Sequence, residues 1–285
     1  MKKIVVAGAT GYIASQVLPA MQERYECVLL DLKTERRDGS KVDDVHVVDL
    51  SDTQLDNYRE HFVDADGVVN FTYIYPNYKG PDGYFAERKN VDIARNLMEV
   101  ARQESIPRFV SASSNHSADF YERLYWEKKI ELIDENLPPL SDNLYGWSRQ
   151  AMEHLGFVYS SGTLGSQMEV VFIRIGGPRE PDLSQANGNL NNMIRQLAVY
   201  LSVRDIQQLF VKSLEAESLM NEHGRPYQIL YGISGNARAF WSLQRARDAI
   251  GYEPEDDSEV KFAEQITEYL VPAQREQADA SRIIP

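Results

Sequence analysis

Short apolar runs alternate with amphipathic stretches along the first 115 residues. KIVVAG (3–8) reads as a buried strand, and YIASQVLPAMQERY (12–25) spaces its apolar positions as a helix does. ECVLLD (26–31) and DVHVVDL (44–50) read as the second and third strands, DGVVNFTY (66–73) as the fourth and PRFVSASS (107–114) as the fifth. Between them, SDTQLDNYREHF (51–62) predicts a helix capped by Ser51 or Asp52, and YFAERKNVDIARNLMEVARQE (84–104) a long amphipathic helix. Strands that alternate with helices in this way specify a parallel sheet wound with right-handed crossovers. The second half keeps a helix at about 143–159 and a strand at EVVFIRIGG (169–177), then becomes less regular. It predicts helices near 189–201, 203–217, 242–250 and 258–269, with a strand at YQILYGIS (227–234). The expected fold class is therefore α/β: a Rossmann-type doubly wound parallel sheet with a small C-terminal substrate-binding subdomain. The division expected is residues 1–175 for the nucleotide-binding domain and 176–285 for a mixed region that returns at least one strand to it. The segment GGPREPDLSQANGN (176–189) reads as a mobile loop over a site, because helices resume directly after it.

Composition narrows the function classes. A net charge of −13 and a pI near 4.9, with no basic stripe, argue against a nucleic-acid partner. No apolar run approaches the ~18 residues that read as a membrane span, and the short run after Lys2 and Lys3 contains a glycine turn unlike a signal peptide. The single cysteine, Cys27, excludes an internal disulfide, fits a cytoplasmic location and is expected to pack within a strand. The five histidines lack metal-ligand spacing, so no metal is expected.

Candidate chemistry begins at VVAGATGYIA. Gly8 permits a tight turn, Gly11 lets the backbone approach a pyrophosphate at a helix N-terminus, and Ala14 allows close helix–strand packing. The pattern has the strand–turn–helix context that gives it meaning. Asp31 closes the second strand, where a carboxylate accepts hydrogen bonds from ribose hydroxyls and repels a 2′-phosphate, which favours NAD over NADP. Arg36 and Arg37 follow within reach, so tolerance of NADP stays open. Further on, NLYGWSRQAME (143–153) sets Tyr145 and Arg149 four residues apart on one helical face, where a fixed cation favours the tyrosinate needed for proton transfer.

Taken together, GATGYIA, Asp31, the VDL at 48–50, Asn90 in the long helix, SASSNH and YGWSR make the chain resemble an extended short-chain dehydrogenase/reductase. That group includes the nucleotide-sugar epimerases and dehydratases. A finer likeness lies in SASSNHSADFY (111–121), which is similar to the SSNH signature of uronate dehydrogenases, NAD enzymes that oxidise the anomeric carbon of a hexuronic acid to a lactone. RIGG (174–177), RQLAVYLSVRD (195–205) and NARAFWSLQRARDAIGYEP (236–254) extend it over most of the chain. Archaeal NAD-dependent glucose-6-phosphate dehydrogenases resemble the same branch. The resemblance implies catalytic roles for Ser114, which positions the reacting hydroxyl, Tyr145, which transfers the proton, and position 149, which holds the nicotinamide ribose. Where the family has lysine this chain has Arg149. Its fork can bind two ribose hydroxyls, but it cannot pass on a proton. For the cofactor, the implied contacts are Gly8, Gly11, Tyr12, Ile13, Asp31, Asp49, Leu50 (the last two at the adenine ring), Phe71, Asn90, Tyr145, Arg149 and Ile175. For the substrate they are Thr72, Tyr73, Ser114, Asn115, His116 and Arg195, the last gripping a carboxylate or phosphate. Tyr73, Tyr75 and Tyr78 either line a sugar pocket or cover the sheet edge. The family also pairs its two long helices across a homodimer, with Leu97, Met98, Met152, Leu155 and Phe157 as candidate contacts here.

The implied activity is NAD-dependent oxidation of a small anionic sugar at C1. Two other readings stay open, a non-catalytic NAD-binding regulator and a sugar epimerase or dehydratase of the same family. Dehydratases place an acidic pair beside the serine, where this chain has Asn115 and His116. Epimerases carry a longer C-terminal region.

Overall fold

In a computed structural model, residues 1–75, 83–186 and 189–270 are described. Seven strands form one parallel sheet: β1 (Lys3–Ala7), β2 (Glu26–Asp31), β3 (Val45–Val47), β4 (Gly67–Asn70), β5 (Arg108–Ser114), β6 (Glu169–Ile175) and β7 (Tyr227–Gly232), in the order β3-β2-β1-β4-β5-β6-β7. Reversal of the strand order between β1 and β4 opens a crevice at the carboxyl ends of the strands, the place where such sheets bind ligands.

Side chains leave each strand alternately to the two faces, so one apolar run supplies two cores. Ile4, Val6, Val69, Val171 and Ile173 pack on α1 (Tyr12–Gln22) and α6 (Val203–Glu215). Val5, Ala7, Val68, Val170 and Phe172 pack on α2 (Gly83–Gln103) and α4 (Leu144–Ser160). Cys27 lies in β2, half-buried against the first core. Further helices among the described residues are α3 (Phe120–Trp126), α5 (Leu190–Val199), α7 (Gln244–Ile250) and α8 (Ser258–Lys261), and residues 263–270 are also helical. Among the described residues no helix is long and apolar enough to cross a membrane.

Two expectations are corrected. Residues 51–62 form no α-helix but two 3-10 turns, Leu55–Asn57 and Arg59–Phe62. Asp52 accepts from the Gln54 N–H and the Asn57 amide, and such local side-chain bonds compete with a helix. Of the proposed dimer contacts, Leu97, Met98 and Met152 are buried within the protomer's own second core, where they cover the sheet.

Candidate active site

The turn after β1 shows why glycine is needed at its start. Gly8 has φ +80°, and a Cβ there would lie 2.8 Å from the Phe71 carbonyl carbon and from the Thr72 nitrogen. Gly11 precedes α1 without a side-chain cap, so the first backbone N–H groups of the helix face the cleft as an anion site. Asp31 is held on both oxygens. Thr10 donates to Oδ2 through its N–H (2.9 Å) and hydroxyl (2.8 Å), and the Leu32 N–H donates to Oδ1 (2.7 Å). Asp49 accepts from the Ser51 hydroxyl (2.6 Å) and N–H (2.9 Å), which holds its carboxyl below the usual range. Gly8, Gly11, Tyr12, Ile13, Asp31, Asp49, Leu50, Phe71 and Ile175 all line one cleft of about 960 Å³.

Thr72, Tyr73, Ser114, His116, Tyr145 and Arg149 line the same cleft. Ser114 ends β5, three strands from Asp31, a separation of about 14 Å at ordinary strand spacing. Its hydroxyl accepts from the His116 N–H (3.2 Å) and donates to Asn115 Oδ1 (3.4 Å). Asn115 itself is buried outside the cleft lining, so it orients Ser114 rather than a ligand. Helix α4 starts against this turn, capped by Asn143, whose Oδ1 accepts from the Gly146 N–H (2.9 Å). The start of α4 brings the Tyr145 ring within 5.6 Å of His116 and 5.3 Å of Tyr73.

Arg149 is 3% exposed, and its guanidinium lies 4.6 Å from the Tyr73 ring centre and 4.9 Å from that of Tyr145. Cation–π attraction to two rings replaces the usual anionic partner. Among the described residues its buried Nε has no hydrogen-bond partner, while Nη1 meets the Met152 sulfur at 3.8 Å. A buried donor without a protein acceptor fits a ligand hydroxyl at this position.

Beneath the cleft lies a layer that sequence reasoning missed. The Tyr73 hydroxyl donates to Glu87 (2.8 Å), a fully buried carboxylate that also accepts from the Ser148 hydroxyl (2.6 Å). Asn90 contacts Glu87 and fastens the Ile74 backbone through both amide atoms (2.7 and 3.0 Å), so it shapes the loop after β4 from outside the cleft lining. Ser113 and Ser117 donate to Glu153, itself paired with Arg174 at 2.8 Å. Glu87 and Asn90 stand three apart on one helical face, the only sequence signal available.

His116 donates or accepts through Nδ1 at 2.8 Å from Asp119 Oδ2, which also accepts from the Asn143 amide at 2.8 Å. Burial opposes ionisation of Asp119, but the hydrogen bonds from His116, Ser141 and Asn143 outweigh it and keep its carboxyl below the usual range. Arg195 stands apart from the cleft lining and grips Glu122 through Nε (2.5 Å) and Nη2 (2.9 Å). Arg179 lines the cleft instead, its guanidinium 4.6 Å from the Tyr12 ring centre. The base of the 176–189 loop also borders the cleft, with the Pro178 carbonyl accepting from the Tyr12 hydroxyl and the Gln16 amide, both at 2.9 Å. Tyr75 is exposed against the Tyr73 ring, and Tyr78 lies outside the described residues.

A glycine-cradled crevice at the switch point, an uncapped helix start and a fixed carboxylate define a dinucleotide-binding α/β protein of Rossmann type. The chain belongs to the NAD dependent epimerase/dehydratase family, whose model matches residues 4–212, and its cofactor is NAD. It is 30% identical to the NAD-dependent glucose-6-phosphate dehydrogenase of Haloferax volcanii over 90% of this chain and 94% of that protein. It is 26% identical to the uronate dehydrogenase of Pseudomonas putida over 90% of this chain and 85% of that one. A solved structure of a mutated uronate dehydrogenase superposes with a TM-score of 0.73 at 26% identity, covering 94% of this chain and 86% of the other.

Proposed function

We propose that the protein oxidises an anionic sugar, a hexuronic acid or a sugar phosphate, at C1 to the lactone. The observation that carries this reading is the convergence of Ser114, Tyr145 and Arg149 in the cleft that Asp31 borders three strands away. NAD, when bound, supplies the hydride acceptor. Ser114, held by Asn115, positions the anomeric hydroxyl, and Tyr145 takes its proton. The Nε of Arg149 serves a ribose hydroxyl. Relatives named for glucose 6-phosphate and uronate oxidation support an anionic substrate. Arg195 meets such a group only in competition with Glu122, whereas Arg179 already borders the cleft. On this reading the working unit is a cytoplasmic homodimer.

The test is NAD reduction, followed at 340 nm, with a panel of uronic acids, sugar phosphates, sulfosugars and neutral hexoses. An anionic sugar should be oxidised, and Tyr145→Phe should lower kcat by at least about 10²-fold, the scale of general acid–base catalysis. NAD binding without turnover of any sugar would replace this reading with that of a redox-responsive binding protein.

A further inference from the structure

We propose that His116 and Asp119 form a relay that carries the proton from Tyr145 to solvent, the task that Arg149 leaves open. The inference rests on the dehydrogenase reading above. A guanidinium does not release its proton at accessible pH, and Arg149 is only 3% exposed with its guanidinium against the rings of Tyr73 and Tyr145, so it does not itself pass the proton on. Another neighbour of Tyr145 does reach solvent. His116 meets its ring edge-on at 5.6 Å, lines the cleft, and keeps 41% of its side chain exposed.

Asp119 decides which imidazole nitrogen is available. Its ionised carboxylate, 2.8 Å from Nδ1, selects the tautomer with hydrogen on that nitrogen and leaves the Nε2 lone pair as the proton acceptor. Asp119 is fixed in turn by Asn143, the cap of the helix that carries Tyr145, so one carboxylate ties the imidazole to the start of the tyrosine's helix. The charges around His116 are arranged for the step. Asp119 offsets an imidazolium.

The proton balance is simple. With NAD as the hydride acceptor, the sugar's hydroxyl proton would pass to the Tyr145 oxygen. The phenol then gives a proton to His116 Nε2, and the imidazolium loses it to water from its exposed edge. One proton reaches the medium for each sugar oxidised, and Tyr145 returns to the form that accepts the next.

Two experiments test the relay. The first needs no substrate: ¹⁵N spectra of histidine-labelled protein with NAD should show His116 as the Nδ1–H tautomer, and Asp119→Asn should shift it toward Nε2–H. An Nε2–H ring in the wild type, or the same tautomer in both proteins, overturns the relay. The second uses whichever sugar the panel yields. His116→Ala should lower kcat by about 10²-fold with KM and NAD affinity changed far less, and imidazole in the buffer should restore much of the loss. The same imidazole should do nothing for Tyr145→Phe. A raised KM with kcat intact, or no rescue, makes His116 a substrate-binding group alone and overturns the proposal. If no sugar is oxidised, the dehydrogenase reading fails and the relay with it, whereas an oxidised sugar combined with the wrong tautomer sinks the relay only.

Discussion

A Cβ at position 146 would sit 2.1 Å from the Ser141 hydroxyl oxygen and 2.2 Å from the His116 carbonyl. Gly146 is therefore the residue that lets the start of α4 press Tyr145 against the Ser114–His116 turn. Gly146→Ala is expected to cost about 1–3 kcal/mol in urea unfolding, the range for overpacking, and to lower kcat more than NAD affinity. Intact kcat in that variant would show that the close approach is structural only. On the proposed reading position 149 holds the ribose and does not transfer the proton, so Arg149→Lys should retain or raise activity. Arg149→Met should lose both NAD affinity, measured by calorimetry, and rate. At the other end of the cleft, Asp31→Ala should weaken NAD more than NADP and narrow the preference between them, because a carboxylate held by Thr10 is lost. Tighter wild-type binding of NADP than of NAD would contradict that assignment. The ion pair of Arg195 with Glu122 gives a further expectation. If Arg195 grips the substrate, Glu122→Gln should lower KM for the anionic sugar, and Arg195→Ala should raise it.

At the level of elements, α2 and α4 bury different residues from those that amphipathic reasoning offered for a partner. Leu97, Met98 and Met152 face the sheet, while Tyr84, Phe85 and Leu144 remain exposed near the start of the two helices. The Tyr84 ring lies 5.2 Å from that of Trp147, so these side chains form a patch that spans both helices. Light scattering at micromolar concentration should report a dimer, and Phe85→Glu should shift it to monomer by placing a charge at the patch. A monomeric wild type would remove the dimer from the proposed function without touching the cleft. The two 3-10 turns at Leu55–Asn57 and Arg59–Phe62 carry a related lesson. Tyr58 and Phe62 are the buried anchors there, and the polar caps around Asp52 shape the backbone between them.

For the molecule as a whole, pH dependence has an identifiable source outside the cleft. Glu135 has a side chain 4% exposed, and its nearest cation, Arg245, is 4.0 Å away. Burial pushes its carboxyl up from 4.5 to about 7. The folded state then holds a proton that the unfolded chain has released between those two values. Stability from this group is full below about pH 4.5 and is lost as pH rises toward 7. Glu135→Gln should therefore be more stable than wild type at pH 7, with the advantage shrinking as pH falls to 5, read from Tm at each pH. A constant difference across that range would place the carboxyl's titration elsewhere.

The strand pattern, the glycine turn, Asp31 and the pair at 145 and 149 were legible in the sequence because each depends on local spacing: period two, period 3.6, or a turn that only glycine adopts. Most residues expected to touch a ligand do line one cleft, since the ends of parallel strands gather at one edge of the sheet. What the sequence left open is set by contacts between distant segments. Asn90 serves the 74 backbone, Arg195 is occupied by Glu122, and the buried carboxylates Glu87 and Glu153 organise the floor of the site. Asp119 is the clearest case. Its place three residues after His116 is visible in the chain, but that it joins the imidazole to the cap of the Tyr145 helix follows only when α4 folds back onto the end of β5. The sequence by itself determined the sheet, the turn and the pairing of Tyr145 with Arg149 on one helical face, because neighbours along the chain fix them. Tertiary structure alone decided which charges are paired and which stay free to act, because pairing depends on residues tens of positions apart meeting within a few ångströms.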